Sequence, residues 1–240
     1  MLIKESDLLN FISCPIKYMV YKNNNINEPD TYNTLLHKSY KWIINDYNYN
    51  GLEGLDARIK KHWDKICIQH QNEILPKKVI EGWGMLYRVY ELLRDKHIEV
   101  LDVDIPYHIE IPGTSYAVEG QIDMISKYGD DIEILVPSFS NRMPESYLID
   151  NNIKHSLDAY AIKKMFNKNT FITYHNYNIS KDKYTARLER DLNKLELIVK
   201  NVGNCIENNL LYPCIGYHCS SCMARAICSE WGKDYNNEAF

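Results

Sequence analysis

Apolar residues recur along this chain at two spacings, helical at the start and alternating in the middle. In residues 5–22, "ESDLLNFISCPIKYMVYK", Leu8, Leu9 and Ile12 follow a helical period. Ser6 is the expected N-cap, and Pro15 should end or kink the helix. Residues 22–30 read as a polar loop. Residues 31–46 predict a second amphipathic helix, with Leu35, Leu36, Tyr40 and Ile43 on one stripe and His37 at its margin. A helical stretch from Glu53 to Lys96 breaks near Pro76. The period then becomes two over 97–111, 115–128 and 131–139, with turns at Pro112–Gly113 and Gly129–Asp130. Three strands in an antiparallel meander are the simplest arrangement. A helix at 144–166, a strand at 169–177 and a helix at 181–208 complete the pattern. Tyr184, Leu188, Leu192, Leu195 and Val202 are expected on the buried side of the last helix.

This order predicts an α/β fold with a central mixed sheet flanked by helices, the strand at 169–177 joining in parallel. Residues 1–96 form a helical N-terminal part, 97–210 the core and 211–240 a C-terminal cysteine segment of one domain. Hydrophobic residues are 45% of the sequence and charged residues 25%, as in ordinary soluble proteins. Met1–Val20 carries Lys4, Glu5, Asp7 and Lys17, and no long uncharged apolar run follows. Neither a signal peptide nor a membrane span is expected, and the implied setting is cytoplasmic. The net charge of −4 argues against holding DNA by bulk electrostatics, so any nucleic-acid groove must be local. Basic clusters lie at Lys60, Lys61 and Lys65, at Lys163, Lys164 and Lys168, and at Lys181, Lys183, Arg187 and Arg190. The simpler reading of each is a solvated helix face.

Seven cysteines are unevenly spread. The C-x2-C-x5-C spacing of Cys219, Cys222 and Cys228 suits a metal or cluster site, since disulfides are not expected without a secretion signal. The fourth ligand stays open on spacing alone. Cys214 would complete a local zinc site, and Cys14 a 4Fe–4S site. A link between residues 14 and 228 would remove chain entropy worth on the order of 5 kcal/mol from the unfolded state. Cys67 and Cys205 read as core residues.

Together these stretches resemble the iron–sulfur branch of the PD-(D/E)XK nucleases, which includes RecB/AddB-type nuclease domains and CRISPR-adaptation exonucleases. "SDLLNFISCPIKYMVYK" resembles that branch's S-x-L-x-x-F/Y-x-x-C-P opening. "LLHKSY" is similar to its histidine motif, "VEGQIDMI" to its G-x-I/V-D motif, and "YPCIGYHCSSCMARAIC" to its cysteine signature. The resemblance implies a structural 4Fe–4S cluster on Cys14, Cys219, Cys222 and Cys228, with Cys214 a bystander. It also implies a Mg²⁺ or Mn²⁺ site on His37 and Asp123, completed in active relatives by a carboxylate on the next strand and a lysine two residues on.

Those last two groups are missing here. The usual separation from Asp123 lands on Val136 for the acid and Ser138 for the lysine. Glu133 lies an odd number of residues away, on the opposite sheet face. The family's Q-x-x-x-Y on the following helix keeps Tyr160 but has Ser156 for the glutamine. Losing one preorganised charge at a reacting phosphate costs on the order of 10²–10³ in rate. The expectation is therefore an inactive nuclease fold, binding single-stranded DNA or a duplex end, or scaffolding an assembly with protein partners. An active exonuclease with displaced groups, for instance Lys154 or Lys163, is one alternative. A purely structural subunit, suggested by the acidic charge and abundant tyrosine, is the other.

Overall fold

A computed structural model of the protein describes residues 1–24, 26, 30–96, 98–216, 219–220 and 222–228. Parts of the expected 22–30 loop, 97–111 strand and 211–240 segment therefore fall outside the described residues. The elements, in chain order, are β1 (Leu2–Lys4), α1 (Glu5–Ser13), α2 (Pro15–Asn24), α3 (Tyr32–Asn50), α4 (Leu55–Gln69) and α5 (Pro76–Lys96). Strands β2 (Val100–Glu110), β3 (Ala117–Tyr128) and β4 (Asp131–Ser138) follow. The remainder is α6 (Ser146–Asp150), α7 (Ile153–Phe166), β5 (Thr170–Asn176), β6 (Lys181–Ala186), α8 (Glu189–Glu207) and a 3₁₀ turn at Met223–Ile227. The six strands form one mixed sheet in the order β1-β3-β4-β5-β6, with β2 also on β3. β3 and β4 are antiparallel, β4 and β5 parallel, β5 and β6 antiparallel. No helix among the described residues is long and apolar enough to cross a membrane.

Contacts divide the chain into two compact units. One comprises Asp30–Pro106 and Gln121–Glu189. Its core joins Leu36, Tyr40, Ile43 and Ile44 of α3 to Trp63 of α4, Leu86 and Val89 of α5, and Met124 and Leu135 of the sheet. Helix α3 starts where Thr31 accepts the Thr34 amide and Thr34 returns the bond, a reciprocal cap that satisfies two otherwise unpaired N–H groups. Gly51, at φ 71°, ends it. Trp63 is fully buried and donates its indole N–H to the Val79 carbonyl at 2.9 Å. Gly82 makes room for it: a β-carbon there would sit 2.3 Å from Trp63 Cζ2.

The other unit comprises Met1–Pro29, Tyr107–Gly120 and Arg190–Phe240, so segments from both chain ends belong to it. β1 runs parallel to the start of β3, Ile3 opposite Val118. The Tyr107 hydroxyl donates to Glu5 at 2.7 Å. A β-carbon at Gly120 would lie 2.4 Å from that hydroxyl, which gives the glycine of "VEGQIDMI" a packing reason. Val20, Tyr21 and Ala224 form a small apolar cluster.

Several expectations need correction. Ser6 does not cap α1. The chain leaves β1 directly into the helix at Glu5, and Lys4 stands at the N-cap without a side-chain bond. The 5–22 helix is two helices, because Cys14 before Pro15 is extended, at φ −167° and ψ 117°. The 144–166 helix is likewise two. The 181–208 helix begins only at Glu189, since Lys181–Ala186 pairs with β5 as strand β6. Tyr184 and Leu188, four residues apart, imitated a helical stripe; they are 66% and 55% exposed, whereas Leu192, Leu195 and Val202 are buried. Cys67 and Cys205 are only partly buried.

Gly82→Ala is expected to destabilise the protein by about 1–3 kcal/mol, because a methyl group must displace a fully buried indole. A urea melt read at Trp fluorescence should show a lower midpoint with an unchanged slope. An unchanged midpoint would mean that Trp63 has room to move.

Candidate functional site

Beside the apolar stripe of α3 runs a polar one. His37, Lys41 and Asn45 are spaced i, i+4, i+8, which places them on one face of the helix. Two aspartates from neighbouring strands meet that face, Asp104 of β2 and Asp123 of β3. Lys41 Nζ lies 2.7 Å from Asp123 Oδ1 and 3.4 Å from Asp104 Oδ1. Asn45 Nδ2 donates to the second oxygen of Asp104 at 3.1 Å. Asp104 sits at φ 53°, a left-handed conformation that Asp tolerates better than most residues. The side chains of Lys41, Asp104 and Asp123 are 36%, 40% and 47% exposed, so the cluster lies at the surface with its contacts only partly dehydrated.

His37 stands one turn before Lys41, its ring edge-on to Phe139 at 5.2 Å between centroids. The residue as a whole is exposed, but crowding around the ring lowers its pKa below the ordinary imidazole value. Asp123 opposes that shift and Lys41 adds to it. The Lys41 ammonium is held in its charged form. Burial works against it, and the Asp123 and Asp104 carboxylates more than compensate, raising its pKa. His37 and Asp123 are therefore brought into one electrostatic neighbourhood, and the cation between the carboxylates is an amine. The donor set does not fit a divalent ion as it stands, because a tethered ammonium already neutralises Asp123 and bonds one of its two carboxylate oxygens.

The next strand supplies no third group. Val136 and Ser138, partly buried, lie opposite Tyr174 and Asn176 of β5. Ser138 Oγ is 3.3 Å from Ser140 Oγ and accepts from Asn176 Nδ2 at 3.4 Å. Glu133 is occupied elsewhere, its carboxylate accepting from the Ser126 hydroxyl at 2.9 Å and from Thr173. Ser156 is buried, donates to the Asn152 carbonyl at 3.0 Å and accepts from Arg187 Nε at 2.8 Å. Arg187 also donates to the Ile149 carbonyl at 2.9 Å, so the serine serves an arginine bracket on α6 and α7. Tyr160 is buried in α7, with Lys164 Nζ 5.0 Å from its ring centroid. Lys154, a candidate for a displaced lysine, is bound to Asp158 at 2.6 Å and to the Gln121 carbonyl at 2.7 Å. The lysine that does reach Asp123 comes from α3. Its signal was the four-residue step from His37, read only as the edge of an apolar stripe.

The same unit holds a cleft of about 560 Å³ lined by Lys96, Lys127, Glu133, His175, Asp182 and Tyr184 among others. His175 Nδ1 is hydrogen-bonded to Asp182, which Lys96 also approaches at 3.2 Å. Burial lowers the His175 pKa, and Asp182 resists that shift. No sequence motif marks this pair, because His175 and Asp182 meet only through the β5–β6 pairing.

In the other unit the thiols of both chain ends draw near. The Cys214 amide donates to Cys14 Sγ at 3.4 Å, and the Gly216 amide to Cys219 Sγ at 3.5 Å. Burial, then Cys14 and Cys219, push the Cys214 thiol pKa up. Cys222 packs against the Val20–Tyr21–Ala224 cluster, and Cys228 closes the 3₁₀ turn. Amide N–H groups aimed at sulfur suit thiolates that hold soft metals. Among the described residues, though, no three or more His, Cys, Asp or Glu side chains converge as a metal site, and Cys214 is the cysteine placed beside Cys14.

No family model and no curated protein matches the chain. Among solved structures it is similar to a candidate exonuclease from Eubacterium rectale, with a TM-score of 0.59 and 13% identity over 92% of this chain and 86% of that one. SSO0001 also matches, at a TM-score of 0.39 and 13% identity over 90% and 94% of the two chains, too distant to bear on the fold. The likeness to that structure is one of architecture alone.

Proposed function

We propose that the protein is a catalytically inactive nuclease-fold, iron–sulfur member of a nucleic-acid-processing assembly, acting there as a DNA-binding or scaffolding subunit. The observation that carries this reading is the state of Asp123. Its carboxylate is paired with an ammonium, and the strand beside it offers Val136 and Ser138 where hydrolysis needs an acid and a base. Metal-assisted phosphodiester hydrolysis needs a Lewis acid, an activated water and a charge to offset the developing phosphorane. His37 and Asp123 alone would give Mg²⁺ a mostly hydrated and weak site.

Cys14, Cys219, Cys222 and Cys228 are the proposed ligands of a 4Fe–4S cluster, with a structural role. The sequence spacing supports it, as does the approach of the Cys14 and Cys214 segments within one unit. Such a cluster would supply a covalent tie between chain ends; the chain's own contribution is four thiolates and the amides that hydrogen-bond to them.

Purified protein incubated with labelled single- and double-stranded DNA and Mn²⁺ should leave both intact. Cleavage that disappears in Asp123→Ala would overturn the inactive reading. Anaerobically prepared protein should contain about four irons per chain, and Cys14→Ser should lose most of them. Stoichiometric zinc retained by Cys14→Ser and lost by Cys214→Ser would replace the cluster with a local zinc site. DNA retention on filters should fall as salt rises and drop several-fold in K163E/K164E. Retention that is absent at low salt would leave scaffolding as the role.

A further inference from the structure

The same reading of an inactive site leads to a specific account of what replaced its metal. We infer that Lys41 is a tethered substitute for the divalent cation, and that it closes the His37–Asp123 site to Mg²⁺ and Mn²⁺. The two carboxylates do not form an empty acidic cluster. Their cation is present, at 2.7 Å from Asp123 and 3.4 Å from Asp104. It is delivered from the middle of a 19-residue helix whose adjacent stripe is locked into the core, so the ammonium cannot drift far from the two strands. Asn45, one turn further on, fixes the remaining oxygen of Asp104. One helix face thus supplies a histidine, a cation and an amide donor to two carboxylates.

Competition follows from charge and tethering. A divalent ion entering beside Asp123 would meet a fixed positive charge a few ångströms away and would have to compete with it for the carboxylate. The ammonium pays no translational cost to return, because the helix holds it at high effective concentration. An ordinary surface ion pair would contact one carboxylate from a mobile stem. Here one ammonium bridges carboxylates from two paired strands. Mg²⁺ is the ion most easily excluded, since it demands near-octahedral oxygens and gives up water reluctantly.

Mn²⁺ binding followed by electron paramagnetic resonance on wild type, K41A, K41M and K41A/D123N tests this. Wild type should show no Asp123-dependent site. K41A and K41M should each gain one, binding at least about tenfold more tightly than wild type, and K41A/D123N should lose the gain. If neither single variant binds Mn²⁺ more tightly while both keep the wild-type circular dichroism spectrum, the inference is wrong. It is also wrong if wild type already binds Mn²⁺ through Asp123. DNA cleavage assayed on the same samples separates the two readings. Cleavage by wild type overturns the inactive function, whereas an unchanged Mn²⁺ affinity in K41A without any cleavage overturns only the role of Lys41. Mn²⁺ gained by K41A with DNA left intact supports both, because Val136 and Ser138 still stand on β4.

Discussion

Two carboxylates fixed on paired strands repel each other, and their charge must be met by something. In this protein Lys41 meets it, and the character of the site follows. With a divalent ion there, Asp123 would be a ligand and its neighbours would be selected to complete a coordination sphere. With an ammonium there, the carboxylates need only hydrogen-bond geometry, which Lys41 and Asn45 provide from one side of α3. Nothing then demands an acid at position 136 or a base at 138. The ammonium also needs no octahedral shell, so the site can stay open to water at its edge.

The neighbouring strand is held in the fold without any charged group at 136 or 138. β4 is held between β3 and β5 and buries Ile132, Ile134 and Leu135. None of those contacts depends on chemistry at 136 or 138. A carboxylate at 136 would be partly dehydrated and would require a partner, whereas valine there only adds apolar contact. Ser138 still engages Ser140 and Asn176, a modest polar link at the strand end. On α7, Ser156 and Arg187 form a polar bracket that ties α6 and α7 to the end of β6.

How much of this was legible beforehand depended on whether the signal was local. The apolar stripe of α3, the break at Pro76 and the period-two runs of β2 to β4 are local, and the elements formed near their expected bounds. β1 was missed because three residues carry no period; it exists only through its pairing with β3. β6 was misread because Tyr184 and Leu188 satisfied a helical step while the pairing with β5 decided otherwise. Motif order singled out His37 and Asp123, and the fold places both beside Lys41. Lys41 could not be tied to Asp123 without knowing that α3 lies along β2 and β3, and Asp104 carried no motif at all.

The cysteines show the same dependence on topology from the other direction. In sequence Cys14 and Cys214 are 200 residues apart, yet a backbone amide of one lies against the sulfur of the other. The reason is the make-up of their unit, which takes its segments from the N-terminus, from the β2–β3 turn region and from α8 onward. Long-range closure of this kind is entropically costly, and the apolar cluster of Val20, Tyr21 and Ala224 that meets it at the cysteine segment is small. A shared inorganic centre would offset that cost directly, since it binds the folded arrangement of thiols and not the unfolded chain. Such a centre would draw on the thiols of this unit and not on Val136 or Ser138, which belong to the other.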